Sequence, residues 1–184
     1  MRTFFKALFL NPRAMGAVFP SSKYLARCMA KGIDKDQSGF VLELGPGTGA
    51  ITKTIIESGI PGNKIIALEL APHLATQLKE QFSLIQVIRG DAKHLSELLN
   101  ENQPIQTIIS SLPLRSIPKK SREKIFAEIS KVLSPGGHYV QFTYSMKNDD
   151  EFYPPHFKRI ASYLVLRNLP PARVSVFEIG KVGV

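Results

Sequence analysis

The chain has 184 residues, 43% of them apolar, a single cysteine and a formal net charge of +9. That length suits one domain, residues 1–184, whose core needs no disulfide or structural metal, and Cys28 alone supplies neither an intramolecular disulfide nor a cysteine cluster. No apolar run reaches the ~20 residues of a membrane span. Lys6, Pro12 and Arg13 interrupt the apolar start before a signal-peptide core can form, so the start is expected to remain in the mature protein. The charge is uneven: residues 1–33 hold six basic residues and no acid, residues 34–151 hold 13 basic and 14 acidic, and residues 152–184 hold five basic and one acidic. A neutral centre with basic ends fits either a solvated face or an anionic partner, nucleic acid or lipid headgroups.

In chain order, residues 2–10 can form a short amphipathic helix in which Phe4, Phe5, Leu8 and Phe9 would share one arc bordered by Arg2 and Lys6. A helix this short is unstable alone in water, so it is expected to dock on the protein's own core or on a membrane interface, where basic residues beside bulky apolar ones are suited. Pro12, Gly16 and Pro20 then make a kinked loop, and Ser21 or Ser22 caps a helix to about Ala30 with Leu25, Cys28 and Met29 on its apolar face. A polar linker over Gly32–Gly39 leads into the stretch that organises the chain, Val41-Leu-Glu-Leu-Gly-Pro-Gly-Thr-Gly-Ala-Ile-Thr52. The apolar run Phe40–Leu44 reads as a buried strand, Gly45, Gly47 and Gly49 as a turn, and Ile51, Ile55 and Ile56 as a helix face. The pattern is G-x-G-x-G, which differs from both the dinucleotide and the P-loop spacings. Glu43, two residues before the first glycine, would repel a pyrophosphate but pair with a cationic ligand.

A second strand over Lys64–Leu70 places Glu69 where an acid can bind two ribose hydroxyls. Pro72–Phe82 reads as a helix and Leu84–Ile88 as a third strand. Asp91 follows it, placed to cap a helix over Lys93–Leu99. A fourth strand, Ile105–Ile109, opens into Ser110-Ser-Leu-Pro-Leu114, at the carboxyl end of the sheet where ligands bind in doubly wound folds. Residues 118–133 read as a helix stopped by Ser134-Pro-Gly-Gly137, and His138–Tyr144 as a fifth strand, with His138 at the end away from the site and therefore structural. Pro154-Pro155 keeps any helix within Asn148–Ile160 short, and Ala161–Leu166 and Val174–Ile179 read as two strands joined by Asn168-Leu-Pro-Pro-Ala172.

Glu-Leu-Gly-Pro-Gly-Thr-Gly, Gly-Asp-Ala and Leu-Ser-Pro-Gly-Gly together resemble the class I S-adenosylmethionine-dependent methyltransferases. That resemblance implies an α/β Rossmann-like fold: a seven-stranded, mostly parallel sheet with helices on both faces and a C-terminal antiparallel strand. It implies S-adenosylmethionine as cofactor, held by Glu43, Gly45, Gly47, Thr48, Gly49, Glu69, Asp91, Ala92 and Ser110. The cofactor's ammonium and sulfonium give Glu43 its chemical reason, and with the lone cysteine they point to a reducing cytoplasm.

Three acceptors compete. Enzymes that methylate nucleobases carry Asn or Asp, then Pro or Leu, Pro and an aromatic after the fourth strand, to hold a flipped base. Here Ser111-Leu-Pro-Leu114 lacks both amide and aromatic, although the first motif also resembles rRNA adenine N6-dimethyltransferases, which remain the alternative. The second acceptor is a lipid amine. The basic start, Gly16-Ala-Val-Phe-Pro-Ser-Ser22, Ser111-Leu-Pro-Leu114 and Asn168-Leu-Pro-Pro-Ala-Arg-Val174 resemble the bacterial phospholipid N-methyltransferases, with ornithine-lipid enzymes looking similar. Stepwise methylation of phosphatidylethanolamine to phosphatidylcholine is what this implies, on the inner face of the cell membrane, with Arg2, Phe4, Phe5, Lys6 and Phe9 against an anionic surface. Phe19, Leu112, Pro113 and Leu114 would border the substrate, and Tyr24, Tyr144 and Ser111 would contact the amine. The third acceptor is a small molecule or protein, with the N-terminal helix merely packed. A noncatalytic adaptor is opposed by intact Glu43, Gly45, Gly47 and Glu69.

Overall fold

The structure, a computed structural model, describes residues 22–36, 38–145 and 152–180. Arg2, Phe4, Phe5, Lys6, Phe9 and Phe19, and with them the expected amphipathic helix and most of the loop before Ser22, lie outside the described residues.

Seven strands form one sheet of order β3-β2-β1-β4-β5-β7-β6: β1 (Phe40–Leu44), β2 (Ile65–Glu69), β3 (Gln86–Arg89), β4 (Ile105–Ser110), β5 (Leu133–Thr143), β6 (Phe157–Val165) and β7 (Ala172–Ile179). The first five are parallel, while β7 runs antiparallel to both β5 and β6, as the sequence implied. Helices α1 (Lys23–Ala30), α2 (Ala50–Glu57), α3 (Pro72–Gln81), α4 (Leu95–Leu98) and α5 (Lys119–Val132) complete the described elements.

The central strands are apolar runs because both faces of a parallel sheet are covered: all five residues of β2 and all six of β4 are buried. Alternation sorts them between two cores. Val41, Ile65, Ala67, Ile109 and Val140 pack with Leu25 and Met29 of α1 and Ile51 and Ile55 of α2. Leu42, Leu44, Ile66, Leu68 and Ile108 pack on the other face with Ile125, Phe126 and Ile129 of α5. Glu43 shares the parity of Val41 and therefore points under α2.

Three elements differ from expectation. β5 begins at Leu133, straight out of α5, rather than at His138. Ile105 pairs with Leu133 and Thr107 with His138, so the intervening Ser-Pro-Gly-Gly is a bulge in the ladder as well as a helix stop. Gly137 is required there, because a Cβ would stand 2.7 Å from the Gln106 carbonyl oxygen. β6 begins at Phe157 rather than Ala161; Lys158, Arg159 and a register shift between Arg159 and Ala161 hide its alternation. The helix expected over Lys93–Leu99 is a 3₁₀ turn, Ala92–His94, followed by the single turn α4. His138 is structural as expected, with its Nδ1 3.0 Å from the Gly32 carbonyl.

Glu128 is an acid that the helix pattern of α5 buries. It is 5% exposed, accepts from the Ser96 N–H at 2.8 Å and the Ser96 hydroxyl at 2.6 Å, and pairs with Lys131 at 2.6 Å. Burial disfavours its charge, but the bonds from Lys131 and Ser96 outweigh that and hold the carboxyl at about 2. A lowered acid stabilises the fold above its unfolded value and loses that contribution as pH falls toward 2; because the Lys131 ammonium is largely exposed, solvent screening holds the contribution to about 1–2 kcal/mol. Glu128→Gln is therefore expected to lower the melting temperature at pH 7, and to flatten its fall between pH 4.5 and 2.5 in a thermal-denaturation series.

Candidate functional site

The strand order reverses between β1 and β4, and the loops leaving those two strands diverge there, opening a crevice at the carboxyl edge of the sheet. Backbone bonds knit this edge together. The Gly45 N–H donates to the Leu68 carbonyl at 2.9 Å, Ser111 N–H to Leu44 at 2.9 Å, and Gly90 N–H to Glu69 at 3.0 Å. Gly45 faces Leu112 so closely that a Cβ on the glycine would lie 3.1 Å from the leucine Cδ2.

A cavity of about 260 Å³ lies here. Gly45, Glu69, Asp91, Ala92 and Leu112 of the expected site line it, with Leu68, Lys93, Ile117, Pro118 and Ile125. Glu69 is 6% exposed, and both of its oxygens are engaged: one accepts from the Gly47 N–H at 3.0 Å, the other from the Ala71 N–H at 2.9 Å. The acid expected to meet a ribose thus also locks the glycine turn onto β2. Asp91 caps the turn that follows it, accepting from the Lys93 N–H at 2.9 Å and pairing with the Lys93 ammonium at 3.1 Å, and it lines the cavity. Partial burial opposes its charge, yet Lys93 holds the carboxyl below the ordinary range.

Glu43 lies outside the cavity wall, fully buried beneath the turn. Its Oε2 accepts from the Thr52 hydroxyl of α2 at 2.6 Å, and its Oε1 has no partner. Burial pushes this carboxyl up to about 7, against the Thr52 bond and with the help of Glu69's charge. An orphaned oxygen on a fully buried acid is costly, and a cation reaching it would relieve that cost.

The other expected residues separate. Thr48 is exposed and Ser110 is fully buried beneath the crevice, its hydroxyl accepting from the Leu112 N–H at 3.4 Å. Ser111 carries a buried hydroxyl with no partner. Pro113 is half-buried, and Leu114 is committed to the core on the α5 face, which gives it packing work rather than contact with the cavity. Tyr24 is 47% exposed, with the Arg167 guanidinium 5.2 Å from its ring centre. Tyr144 is half-buried against Phe142; burial raises its phenol above the usual range, opposed by a bond to Asn168, so the hydroxyl stays protonated near neutrality.

Asn168 is the residue whose role the sequence hid. It is 4% exposed in the turn between β6 and β7. Its Oδ1 accepts from the Ser22 N–H at 3.1 Å, its Nδ2 donates to the Pro170 carbonyl at 2.7 Å, and it bonds Tyr144. It ties the start of α1, the end of β5 and the β6–β7 turn into one unit at the carboxyl edge. The motif Asn168-Leu-Pro-Pro was visible in the sequence, but nothing in it names partners 146 residues away.

Residues 41–137 match a family described as a methyltransferase domain. An ornithine lipid N-methyltransferase of Singulisphaera acidiphila is 33% identical, covering 94% of this chain and 94% of that protein. A chloroplastic ribosomal RNA small subunit methyltransferase of Arabidopsis thaliana is 36% identical over 59% of this chain but only 33% of its own length. Among solved structures, the N-methyltransferase NodS of Bradyrhizobium japonicum in complex with S-adenosylhomocysteine superposes with a TM-score of 0.66 at 10% identity, over 86% of this chain and 88% of that one. Strand order, glycine turn, second-strand acid and family match all agree: the chain belongs to the class I S-adenosylmethionine-dependent methyltransferases.

Proposed function

We propose that the protein transfers a methyl group from S-adenosylmethionine to the amine of a membrane-lipid headgroup, of the phosphatidylethanolamine or ornithine-lipid kind, at the inner face of the cell membrane. The observation that carries this reading is the end-to-end likeness to an ornithine lipid N-methyltransferase, which extends beyond the shared methyltransferase core to α1, β6 and β7. Among the described residues no helix is long and apolar enough to cross a membrane, so the chain would work from the surface.

The site fits the cofactor. The unpartnered Glu43 Oε1 calls for a cation, and a Cβ on Gly47 would meet no atom within 4 Å, leaving a backbone face open to a ligand. Glu43 would hold the amino-acid end, Glu69 the ribose, and Asp91 and Ala92 the wall beside the base. Bound there, S-adenosylmethionine supplies an electrophilic methyl on a sulfonium.

The chain's own residues position the acceptor. An ammonium must lose its proton before its nitrogen becomes a nucleophile, and the apolar Leu112 and Ile117 favour the neutral amine by withholding water. The buried, unpartnered Ser111 hydroxyl, next to the cavity residue Leu112, would exchange a hydrogen bond with that amine. A protonated Tyr144 would orient the amine rather than deprotonate it. The likeness of part of the chain to a ribosomal RNA methyltransferase keeps an adenine acceptor as the second reading. Radiolabelled cofactor mixed with vesicles of phosphatidylethanolamine or ornithine lipid is expected to send label into the organic extract. Label found only in added ribosomal RNA overturns the lipid reading in favour of the base.

A further inference from the structure

We infer that the outer end of the β6–β7 hairpin is a membrane-docking edge that seats on an anionic bilayer and brings the crevice to the lipid surface; this rests on the lipid reading above. Among the described residues nine large apolar side chains are exposed, and five of them fall within residues 160–169. Leu164, Leu166 and Leu169 are the outermost, 52%, 70% and 74% exposed. Scattered single leucines on a surface are ordinary, but these fall together on one edge strand and its turn.

Charge names the occupant. Around this turn the chain carries Arg167 and Arg173, and residues 160–173 hold no acid. Arg173 is the cross-strand partner of Leu164, and the Arg167 guanidinium stacks on Tyr24 beside α1. Leucines flanked by arginines match an anionic interface, with apolar side chains in the acyl boundary and guanidinium groups among phosphates.

Position supplies the second argument. β7 is antiparallel to both neighbours, so β6 runs in the same direction as β1–β5. Its outer end and the following turn therefore lie on the same edge of the sheet as the glycine turn and Ser111–Leu114. Three strand spacings, about 14 Å, separate β6 from β4 across the order β4-β5-β7-β6. A lipid held at that edge could present its headgroup to the crevice without leaving the bilayer.

The protein contains no tryptophan, so one introduced residue reports alone. Leu169→Trp is expected to show a blue-shifted emission on adding vesicles of phosphatidylethanolamine and phosphatidylglycerol, and the shift should fade in high salt. Leu84→Trp, equally exposed at 75% but before β3 on the opposite side of the sheet, should not shift. Leu164→Ser/Leu166→Ser/Leu169→Ser should weaken vesicle co-sedimentation about tenfold or more while S-adenosylmethionine affinity stays unchanged. No shift at Leu169→Trp, an equal shift at both positions, a shift already present without vesicles, or full vesicle binding by the triple variant overturns the proposal. Methyl transfer into the same lipid presented in detergent micelles needs no docking edge. Failure there defeats the lipid reading, whereas success there with an unshifted Leu169→Trp defeats only the docking edge.

Discussion

Glu43→Gln is expected to make the free protein more stable at pH 8 and, in the same variant, to abolish detectable S-adenosylmethionine binding. Burial holds the Glu43 carboxyl near 7. A raised acid leaves stability untouched below its unfolded value; stability then falls as the unfolded chain ionises first, and levels off once the folded group has also ionised. Over that window the penalty is about 3 kcal/mol, and glutamine removes it while still able to accept the Thr52 hydroxyl's bond. Binding responds in the opposite sense. A cationic amino group over the carboxylate gains a charge-assisted bond, and without it a buried cation is left unpaired, a loss of about 3–5 kcal/mol or roughly 10²–10⁴-fold in affinity. Wild-type affinity should rise from pH 6 to pH 8, with a proton released on binding at the acid end, and the variant should show neither. Calorimetry in buffers of different ionisation enthalpy, beside melting curves at pH 5 and 8, measures both. An unchanged affinity in Glu43→Gln would remove Glu43 from the cofactor site.

The second large effect separates two glycines that look alike. Gly47 and Gly49 both have positive φ, +59° and +82°, a conformation that costs an L-residue about 1–2 kcal/mol. Gly49→Ala adds a collision: its methyl would stand 2.5 Å from the Phe82 ring and 3.0 Å from the Leu78 Cδ2, both on the α3 side. Overpacking of that kind costs about 1–3 kcal/mol more, so a melting temperature lower by about 10 °C is expected. Gly47→Ala meets nothing and should lower it by only a few degrees. Its methyl would instead stand on the face left open for the cofactor, and binding should weaken about tenfold or more. If Gly47→Ala binds as well as wild type, the cofactor does not pass over that turn.

These glycines also show how far the sequence could be read. Strand, turn and helix around Gly45–Gly49 were legible because positive φ leaves few residue choices and because the apolar period changes across the turn. The division of labour was not legible, since Gly49 is dictated by Phe82, 33 positions later, and Gly47 by empty space. Its place at the end of β2 marks Glu69 as a ligand acid, and its bonds to Gly47 and Ala71 make it part of the turn's scaffold as well. Leu112 and Leu114 were one motif in the sequence; the backbone sends the first to the cavity and the second to the core. The start of β6 was missed because an edge strand with one exposed face and a bulge carries little alternation. Asn168 was visible only as a neighbour of prolines, because its partners come from Ser22 and Tyr144.

The placing of β7 between β5 and β6 has a consequence for how the molecule is made. β5 and β6 follow one another along the chain but never touch in the ladder; Ala172–Ile179 stands between them and pairs with both. On a ribosome, everything up to β6 can emerge while the sheet still ends at Val140 and Phe142 of β5, an unpaired row of backbone donors and acceptors. The local β6–β7 hairpin can close early, since its partners are near in sequence, but it docks only when β7 finds β5. Vectorial synthesis thus leaves a nascent chain with an open, aggregation-prone edge until one late strand is delivered. A chain stopped before Ala172 would keep the cofactor turn intact and lose the means to seal its own sheet.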